Sequence, residues 1–187
     1  MLVDVQLSRD TIVTAAMEIL DSYGLADMTM RRVATHLGVA PGALYWHLAN
    51  KQQLIAAIAD RILAPALDTT DPASPEELAD RLRTALLAHR DGAELVSAAL
   101  SQPDSETRGD VEKQLSDALA LDDADVSRVG AAALLHLVLG ATTLEQSHRQ
   151  YAADTGTPAP PTGTPAEDFR RGVAAFVGKT KPDWQGR

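Results

Sequence analysis

Residues 28–51 read MTMRRVATHLGVAPGALYWHLANK, and this stretch decides the architecture of the chain. Thr29 can cap a first helix, since its hydroxyl oxygen can accept a hydrogen bond from a free N–H group of the opening turn. Gly38 permits the left-handed backbone conformation that ends a helix. Pro41 suits the first position of a second helix, because the N–H group that proline lacks would have no partner there. The stretch therefore predicts two short helices joined by a tight turn.

The second of these helices, predicted over residues 41–48, carries bulky side chains on its outer side. Leu44 and Leu48 share one face at a spacing of four residues, so the Tyr-Trp-His run between them points mostly outward. The chain has only two tryptophans, and exposing one of them here is explained by a partner against which it packs. The pattern is typical of a helix-turn-helix, whose second helix enters the major groove of DNA.

The charge distribution agrees with a DNA-binding surface at this end of the chain. Residues 28–55 contain no acidic side chain, although the whole chain has a formal charge of -9. Residues 1–65 hold five basic and six acidic side chains, which leaves 12 basic and 20 acidic ones for the remainder. An acidic body with a small basic face is wrong for a protein that coats nucleic acid nonspecifically. It suits a protein that docks on DNA in one orientation.

The run LYWHLANK, residues 44–51, follows a T-x-x-x-V-A-x-x-L-G-V helix and resembles the head of the tetracycline repressor (TetR) family of bacterial regulators. The Tyr-Trp-His run is similar to that of the tetracycline repressors themselves. Residues 90–93, 111–115 and 139–146 resemble the C-terminal domain of that subfamily. The resemblance implies a homodimer in which the long helix and the last helix of each subunit form a four-helix bundle.

The spacing of apolar residues predicts an all-α chain of about nine to ten helices. We expect a three-helix DNA-binding head in residues 1–50 and a larger effector-binding and dimerisation body in residues 51–187. The predicted helices cover residues 9–23, 30–37, 41–48, 51–65, 75–89, 92–100, 106–121, 126–152 and 168–178. The fourth of them, ended by Pro65, is expected to be the only mechanical link between head and body. Residues 154–167 are expected to form a mobile loop, and the tail beyond residue 179 to be frayed.

Composition limits the class of protein further. The 187 residues include 45% apolar side chains and no cysteine, so the chain is globular and has neither disulfides nor thiolate metal sites. No uninterrupted apolar run approaches 18 residues, and the N-terminus lacks a signal-peptide pattern. We therefore expect a cytoplasmic protein without a membrane partner. The predicted long helix is apolar nearly all round, so a second subunit is expected on one of its sides.

The chain shows no pattern of a catalytic or metal site. It contains no glycine-rich phosphate loop, no nucleophile elbow and no carboxylate pair in an apolar setting, so no enzyme activity and no cofactor are predicted. Four histidines, His36, His89, His136 and His148, lie far apart and lack the spacing of metal ligands. They are expected to be core histidines with hydrogen-bond partners rather than ligands.

The predicted contacts with DNA come from both helices of the motif. Thr29 and Lys51 are expected to hold phosphates, Arg31 to reach phosphates or base edges, and Ala43 to contact a thymine methyl. Tetracycline repressors have Gln-Pro-Thr where this chain has residues 41–43, which implies a different operator. The predicted DNA-binding residues are Thr29, Arg31, Pro41, Gly42, Ala43, Tyr45, Trp46, His47 and Lys51.

The resemblance also implies where an effector would bind. Val96 and Leu67 lie at the positions where the tetracycline repressors have histidines, Leu78 matches their drug-binding asparagine, and Gln114 is retained. These departures favour an apolar small molecule over a magnesium–tetracycline complex. The candidate effector residues are Leu67, Leu82, Leu86, Val96, Val111, Gln114 and Leu135. For each residue taken singly, packing in a dry core is the alternative.

The sequence thus predicts a DNA-binding transcriptional regulator. In the preferred interpretation it is a homodimeric, ligand-responsive repressor that binds a palindromic operator. Two alternatives stay open, namely an activator of the same fold and a helical protein-interaction module that does not bind DNA.

Overall fold

The structure, a computed structural model, describes residues 7–68, 73–156 and 165–179. In these three ranges the chain forms nine helices and no strand, so the predicted all-α fold is confirmed. The helices are α1 (Arg9–Tyr23), α2 (Met30–His36), α3 (Pro41–Leu44), α4 (Lys51–Leu67), α5 (Pro75–Leu87), α6 (Gly92–Leu100), α7 (Glu106–Leu119), α8 (Ala124–Thr155) and α9 (Pro165–Lys179).

The first three helices pack around a small core. Ser8 caps α1 in a reciprocal capping box with Thr11, and Gly24 ends the helix with a φ of 87°. Tyr23 lies one helical turn after the buried Ile19, but its side chain is 53% exposed. Its ring lies 3.9 Å from the guanidinium of Arg32, so it covers the surface of the head instead of filling its core.

The recognition segment, residues 41–48, is less helical than the sequence predicts. The tight turn before it is present, with Gly38 at a φ of 69°, but α3 ends at Leu44 and residues 45–47 form a turn. The N–H group of Leu48 still donates to the carbonyl of Leu44 at 2.9 Å. Both leucines are therefore buried on the same side, as their spacing predicted, although the predicted length of the helix is wrong.

Helix α4 begins at the predicted residue but ends two residues later than predicted. Asn50 caps its first turn by accepting from the N–H group of Gln53 at 2.9 Å, as expected. Pro65, however, lies inside the helix, which continues to Leu67 and closes where Asp68 donates to the carbonyl of Ala64 at 2.8 Å. Proline lacks the N–H group that would donate to the carbonyl of Arg61, so one helical hydrogen bond is absent two residues before the helix ends.

Head and body are joined by more than α4. This helix does pack against α1 in the head and against α5 and α6 in the body. A second connection runs from the end of α1 to the loop between α5 and α6, where the N–H group of Leu25 donates to Asp91 at 2.8 Å. The expectation that α4 is the only link is therefore wrong, because sequence spacing does not reveal contacts between distant loops.

The body is a layer of helices packed around α8. Helices α5, α6, α7 and α9 all contact α8, and its buried Thr142 satisfies its hydroxyl by donating to the carbonyl of Val138 at 2.7 Å. One ion pair is nearly buried in this layer: Arg83 of α5 donates to Glu145 of α8 at 2.7 Å, and their side chains are 8% and 12% exposed. This pair fixes the position of α5 along α8.

Several helix bounds in the body differ from the predicted ones. Helix α7 ends at Leu119 because Ala120 adopts the left-handed conformation, and α8 extends beyond both of its predicted ends. The predicted mobile loop, residues 154–167, is partly helical, since α8 continues to Thr155 and α9 starts at Pro165. Residues 157–164 in the middle of that loop, and the tail beyond residue 179, lie outside the described residues.

Helix α8 is apolar enough to cross a membrane by length and composition alone. It has 32 residues, a window of mean hydropathy 1.4, and 44% of that window is buried in the protomer. A core helix of a soluble protein has the same properties. Four large hydrophobic side chains on it are exposed. They are Val126, Val129, Leu144 and Tyr151.

Candidate nucleic-acid interface

A single stretch of the chain, from the cap of α2 to the first residue of α4, contains the residues that the sequence assigned to DNA binding. We call this set of residues the DNA face and define it by Thr29, Arg31, Pro41, Gly42, Ala43, Tyr45, Trp46, His47 and Lys51. Ala43 and Lys51 are half-buried and the other seven are exposed. Trp46 is 89% exposed and Tyr45 51% exposed, although aromatic rings of this size are usually covered. The face thus displays apolar, aromatic and basic groups together.

The recognition segment is held on the head by its two leucines. Leu44 and Leu48 are almost fully buried, and both belong to the hydrophobic core that includes Ile12 and Val33. The side chains between them have no room on that side and turn toward solvent. The exposure of Trp46 therefore follows from the local backbone and does not need a bound partner to impose it.

Acidic residues from outside residues 28–55 partly neutralise the basic side chains of that stretch. Arg32 pairs with Asp27 at 2.5 Å, and His36 lies 2.9 Å from a carboxylate oxygen of Glu18. Within the described part of the chain, no ion pair involves Arg31 or Lys51. Fewer basic side chains without an acidic partner therefore remain at the margins of the DNA face than the sequence suggested. The positive charge there is concentrated on Arg31 and Lys51.

Thr29, which the sequence assigns to the DNA face, also caps the helix that follows it. Its Oγ1 accepts a hydrogen bond from the N–H group of Arg32 at 3.2 Å, which caps α2. A threonine hydroxyl can accept and donate at the same time, so the same group can also donate to a phosphate. The cap fixes where that donor points.

Comparison with known proteins agrees with this geometry. Residues 12–58 match the family described as bacterial regulatory proteins, tetR family. The tetracycline repressor protein class D of Escherichia coli is 35% identical over 167 residues, which cover 83% of this chain and 73% of that protein. The chain belongs to the TetR family. Residues 12–58 extend from α1 into α4, so the match includes the whole DNA face.

Solved structures of TetR-family proteins extend the likeness to the body. The crystal structure of Mycobacterium smegmatis BioQ is 40% identical with a TM-score of 0.83, covering 94% of this chain and 98% of that one. A BioQ structure determined with its double-stranded DNA operator is 41% identical with a TM-score of 0.78, covering 94% and 98%. The chain is a DNA-binding transcriptional regulator. The alternative of an interaction module that does not bind DNA is wrong, and the matched proteins are regulators, not enzymes.

The candidate effector residues lie in the middle of the body. Leu82, Leu86, Val96 and Val111 are buried in the hydrophobic core, each at most 1% exposed. The other three are nearer the surface. Gln114 donates from Nε2 to the carbonyl of Leu67 at 3.3 Å, and Leu135 lines a pocket of about 210 Å³ with residues of α6. Their assignment to an effector site stays a prediction.

The four histidines are not core residues, and the expectation that they are is wrong. His36, His136 and His148 are exposed, while His89 is half-buried beside Asp21 at 3.1 Å. Leucines flank His136 in sequence, but the helical turn puts its side chain on the outer side of α8. Among the residues that the structure describes, no group of three or more His, Asp or Glu side chains has an arrangement that could hold a metal ion.

Sequence reasoning missed the polar contacts that connect the elements. Arg83 lies in a row of leucines on α5, and a charge at an inward position signals a buried partner, but nothing in the spacing identifies Glu145. Asp91 and Gln146 were noticed only as parts of a family resemblance. Their contacts, described below, join the head to α8.

Proposed function

We propose that this regulator is a repressor that acts as a homodimer, with one head on each half-site of a palindromic operator. The observation that carries the proposal is the DNA face, where the 89%-exposed Trp46 stands beside the basic margins formed by Arg31 and Lys51. A single head of this size covers only a few base pairs. Two heads related by a two-fold axis give the site size that specific binding requires, with half-sites about 34–36 Å apart.

The exposed side of α8 and α9 supports the homodimer. These helices border a groove of about 540 Å³ whose lining includes Leu137, Leu144, Phe169 and Val173. Val129, nearer the start of α8, is also exposed. The exposed apolar residues are therefore spread along the length of this helix. Apolar patches exposed on a protomer, rimmed by polar residues, often mark sites of protein–protein contact. A second copy that packs its own α8 and α9 here would cover it on both chains.

Repression is supported by what similar proteins are named. Several of the matched relatives are named tetracycline repressors, and one solved BioQ structure contains that protein's own operator. A dimer bound across a promoter blocks polymerase without needing any further surface. Activation requires a contact with polymerase, and no feature of the described surface favours that role over repression.

The proposed effector is an apolar small molecule that binds in the body. The support is the character of the candidate residues, since the side chains of Val96 and Leu67 offer no metal ligand and Gln114, which donates to the carbonyl of Leu67, supplies a single polar group. Pockets of this kind are mostly apolar with few polar groups. We also propose a cytoplasmic protein without a membrane partner, divided into a DNA-binding head, residues 1–50, and a body, residues 51–187.

The proposal is tested with DNA that flanks the regulator's own coding region. Purified wild-type protein should retard this DNA in a mobility-shift assay, with two subunits bound per duplex. In a reporter strain, expression from the same DNA should fall when the protein is supplied and return with Trp46→Ala. A rise in reporter expression with wild-type protein would establish an activator instead, and a monomer bound to the duplex would contradict the dimer.

A further inference from the structure

The loop between α5 and α6 holds an aspartate in an unusual position. Asp91 stands at the N-cap of α6 with a left-handed backbone, φ 54°. Asp at an N-cap normally accepts hydrogen bonds from its own helix. Here the carboxylate reaches out of the body, and its Oδ2 accepts from the N–H group of Leu25, just past the end of α1, at 2.8 Å.

The missing cap of α6 is supplied by α8. Gln146 Oε1 accepts from the N–H group of Ala93 at 3.0 Å. Its Nε2 donates to the carbonyls of Leu86 and His89 at 3.1 and 2.8 Å. One amide group thus fixes the end of α5 and the start of α6 on α8, and this leaves the carboxylate of Asp91 available for the head.

A second hydrogen bond joins the same two regions, with its acceptor in the head and its donor in the loop between α5 and α6. Asp21 of α1 accepts from the N–H group of Arg90 at 3.2 Å. Gly24 makes the approach possible, because a Cβ atom at this position would lie 2.7 Å from Oδ2 of Asp91. Its φ of 87° also disfavours any other residue. The two acidic side chains therefore bind main-chain N–H groups across the boundary in opposite directions.

We propose that Asp91 and Gln146 are positioning residues for DNA binding, which set the angle of the head relative to α8. The inference rests on the proposed homodimer, in which α8 belongs to the dimer interface. In such a dimer the path from α8 through Gln146, the loop and Asp91 to Leu25 determines how far apart the two recognition segments lie. This path is separate from α4, so the head contacts the body at two places.

The hydrogen bond between Leu25 and Asp91 is strong enough to affect the position of the head. It is also local enough for one substitution to remove it. A hydrogen bond from an N–H group to a carboxylate is about twice as strong as one between neutral groups. Leu25 is half-buried, so water can replace the carboxylate without unfolding the head. Glycine at position 91 accepts the left-handed backbone without strain, so Asp91→Gly removes the carboxylate and leaves the loop conformation possible.

The test uses full-length dimers and DNA selected by the wild-type protein from a random-sequence duplex pool. From the selected palindrome we derive duplexes with one base pair added to or removed from the centre, and a duplex with one intact half-site. Asp91→Asn keeps an acceptor oxygen and tolerates the left-handed backbone. Ala120→Gly is the matched control, because Ala120 has a similar left-handed backbone, φ 47°, at the end of α7.

We expect Asp91→Gly to bind the natural palindrome about tenfold more weakly, which is about 1.4 kcal/mol for the dimer and so about 0.7 kcal/mol for each of its two Asp91 contacts. Binding to the single half-site should change less than about twofold, because one head alone does not sense the separation. The preference for the natural spacing over the two altered spacings should also shrink. Asp91→Asn should restore most of the binding, and Ala120→Gly should behave as wild type.

Gln146→Leu should act in the same direction as Asp91→Gly, since it removes all three hydrogen bonds to the loop. A half-site affinity that falls as much as the palindrome affinity would overturn the inference, because the residues would then only support the fold of the head. Unchanged spacing preference in both variants would overturn it as well. A wild-type protein that selects no palindrome would instead overturn the proposed function, and the inference with it.

Discussion

The recognition segment and α8 both expose apolar side chains, but they hold them in different ways. The recognition segment has one turn of helix, and two buried leucines fix it on a small core. Helix α8 is 32 residues long and is covered on one side by four other helices and a buried ion pair. A surface that fits a groove in DNA can be small, since phosphate contacts supply much of its affinity. A surface that holds two subunits together must be long, because its affinity comes from buried apolar area.

The largest expected effect concerns the buried leucines that fix the recognition segment on the head. Leu44→Ala removes a fully buried side chain from the small core of the head. A substitution of this kind costs about 2–5 kcal/mol of unfolding free energy, and a small core has few neighbours that can close the cavity. We expect operator binding to be lost and the head to unfold at lower urea concentration, measured by tryptophan fluorescence.

Trp46→Ala is the matched variant on the same segment. Because Trp46 is 89% exposed, the free energy of unfolding should stay within about 0.5 kcal/mol of wild type while operator binding weakens. Unfolding would be followed by circular dichroism, since this variant keeps only one of the two tryptophans, Trp184. If the variant were as unstable as Leu44→Ala, Trp46 would fill a gap in the protein in solution, and its place on the DNA face would be wrong.

The second prediction concerns the body. Arg83 donates to Glu145 from Nε at 3.2 Å and from Nη2 at 2.7 Å, in nearly buried surroundings. Removing one partner of a buried pair costs about 3–5 kcal/mol, because the other charge stays behind. Glu145 keeps a second partner, Arg149, at 2.5 Å, so we expect a loss of about 3 kcal/mol for Arg83→Ala. Chemical denaturation of the dimer measures it.

Two controls separate burial from charge. Lys113→Met breaks an exposed pair with Asp117 on α7 and should leave the melting temperature unchanged, since exposed pairs contribute little. The double variant Arg83→Met with Glu145→Leu should recover much of the stability lost in Arg83→Ala, because no charge remains buried. A double variant as unstable as Arg83→Ala would show that the pair itself stabilises the body.

The elements that the sequence predicted well are those with local signals. Ser8, Asn50 and Ser74 cap helices where their side chains can reach the next turn, and Gly24 ends α1 where a left-handed residue is needed. These interactions span three or four residues, so the sequence contains them completely. The same holds for Leu44 and Leu48, whose spacing placed Trp46 on the surface.

The features that were missed depend on residues far apart in the chain. Asp91 and Leu25 are 66 positions apart, and Arg83 and Glu145 are 62 apart. Their pairing follows from how the helices pack, which periodicity alone does not fix. The length of α3 was misjudged for another reason, because helical spacing continues through a turn whose backbone is only partly helical. Candidate DNA contacts were local and predictable, whereas the connections that position them were not.

The third prediction tests whether the exposed side of α8 is a subunit interface. Leu144 is 62% exposed and lines the groove between α8 and α9. Leu144→Glu should leave the protomer folded, but it removes about 1.5–3 kcal/mol of apolar burial from each subunit's side of the interface, so about 3–6 kcal/mol from the dimer. The dimer should dissociate at about 100- to 10,000-fold higher protein concentration, measured by analytical ultracentrifugation.

Ala98→Glu on the exposed side of α6 is the control for Leu144→Glu, since it adds the same charge away from the groove. It should dimerise as wild type does. Equal dissociation of the two variants would mean that net charge, and not a buried surface on α8, controls association. A wild-type protein that is monomeric at micromolar concentration would refute the interface directly.

The smallest expected effect concerns a single charge at the edge of the DNA face. Lys51 is the first residue of α4, half-buried, and no ion pair in the described part of the chain involves it. If its ammonium neutralises one phosphate, binding releases about 0.9 counterions there. Lys51→Ala should therefore weaken binding to all duplex sequences by a similar factor and reduce the slope of log affinity against log salt concentration by about 1 per contact.

Arg128→Ala on α8 is the control for Lys51→Ala. It removes one positive charge from an exposed position far along the chain and should leave the salt slope unchanged. Because each half-site receives one Lys51, a symmetric dimer should lose about twice the slope on a palindrome that it loses on a duplex with a single half-site. An equal loss on both duplexes would mean that only one head engages at a time, and an unchanged slope would remove Lys51 from the DNA face.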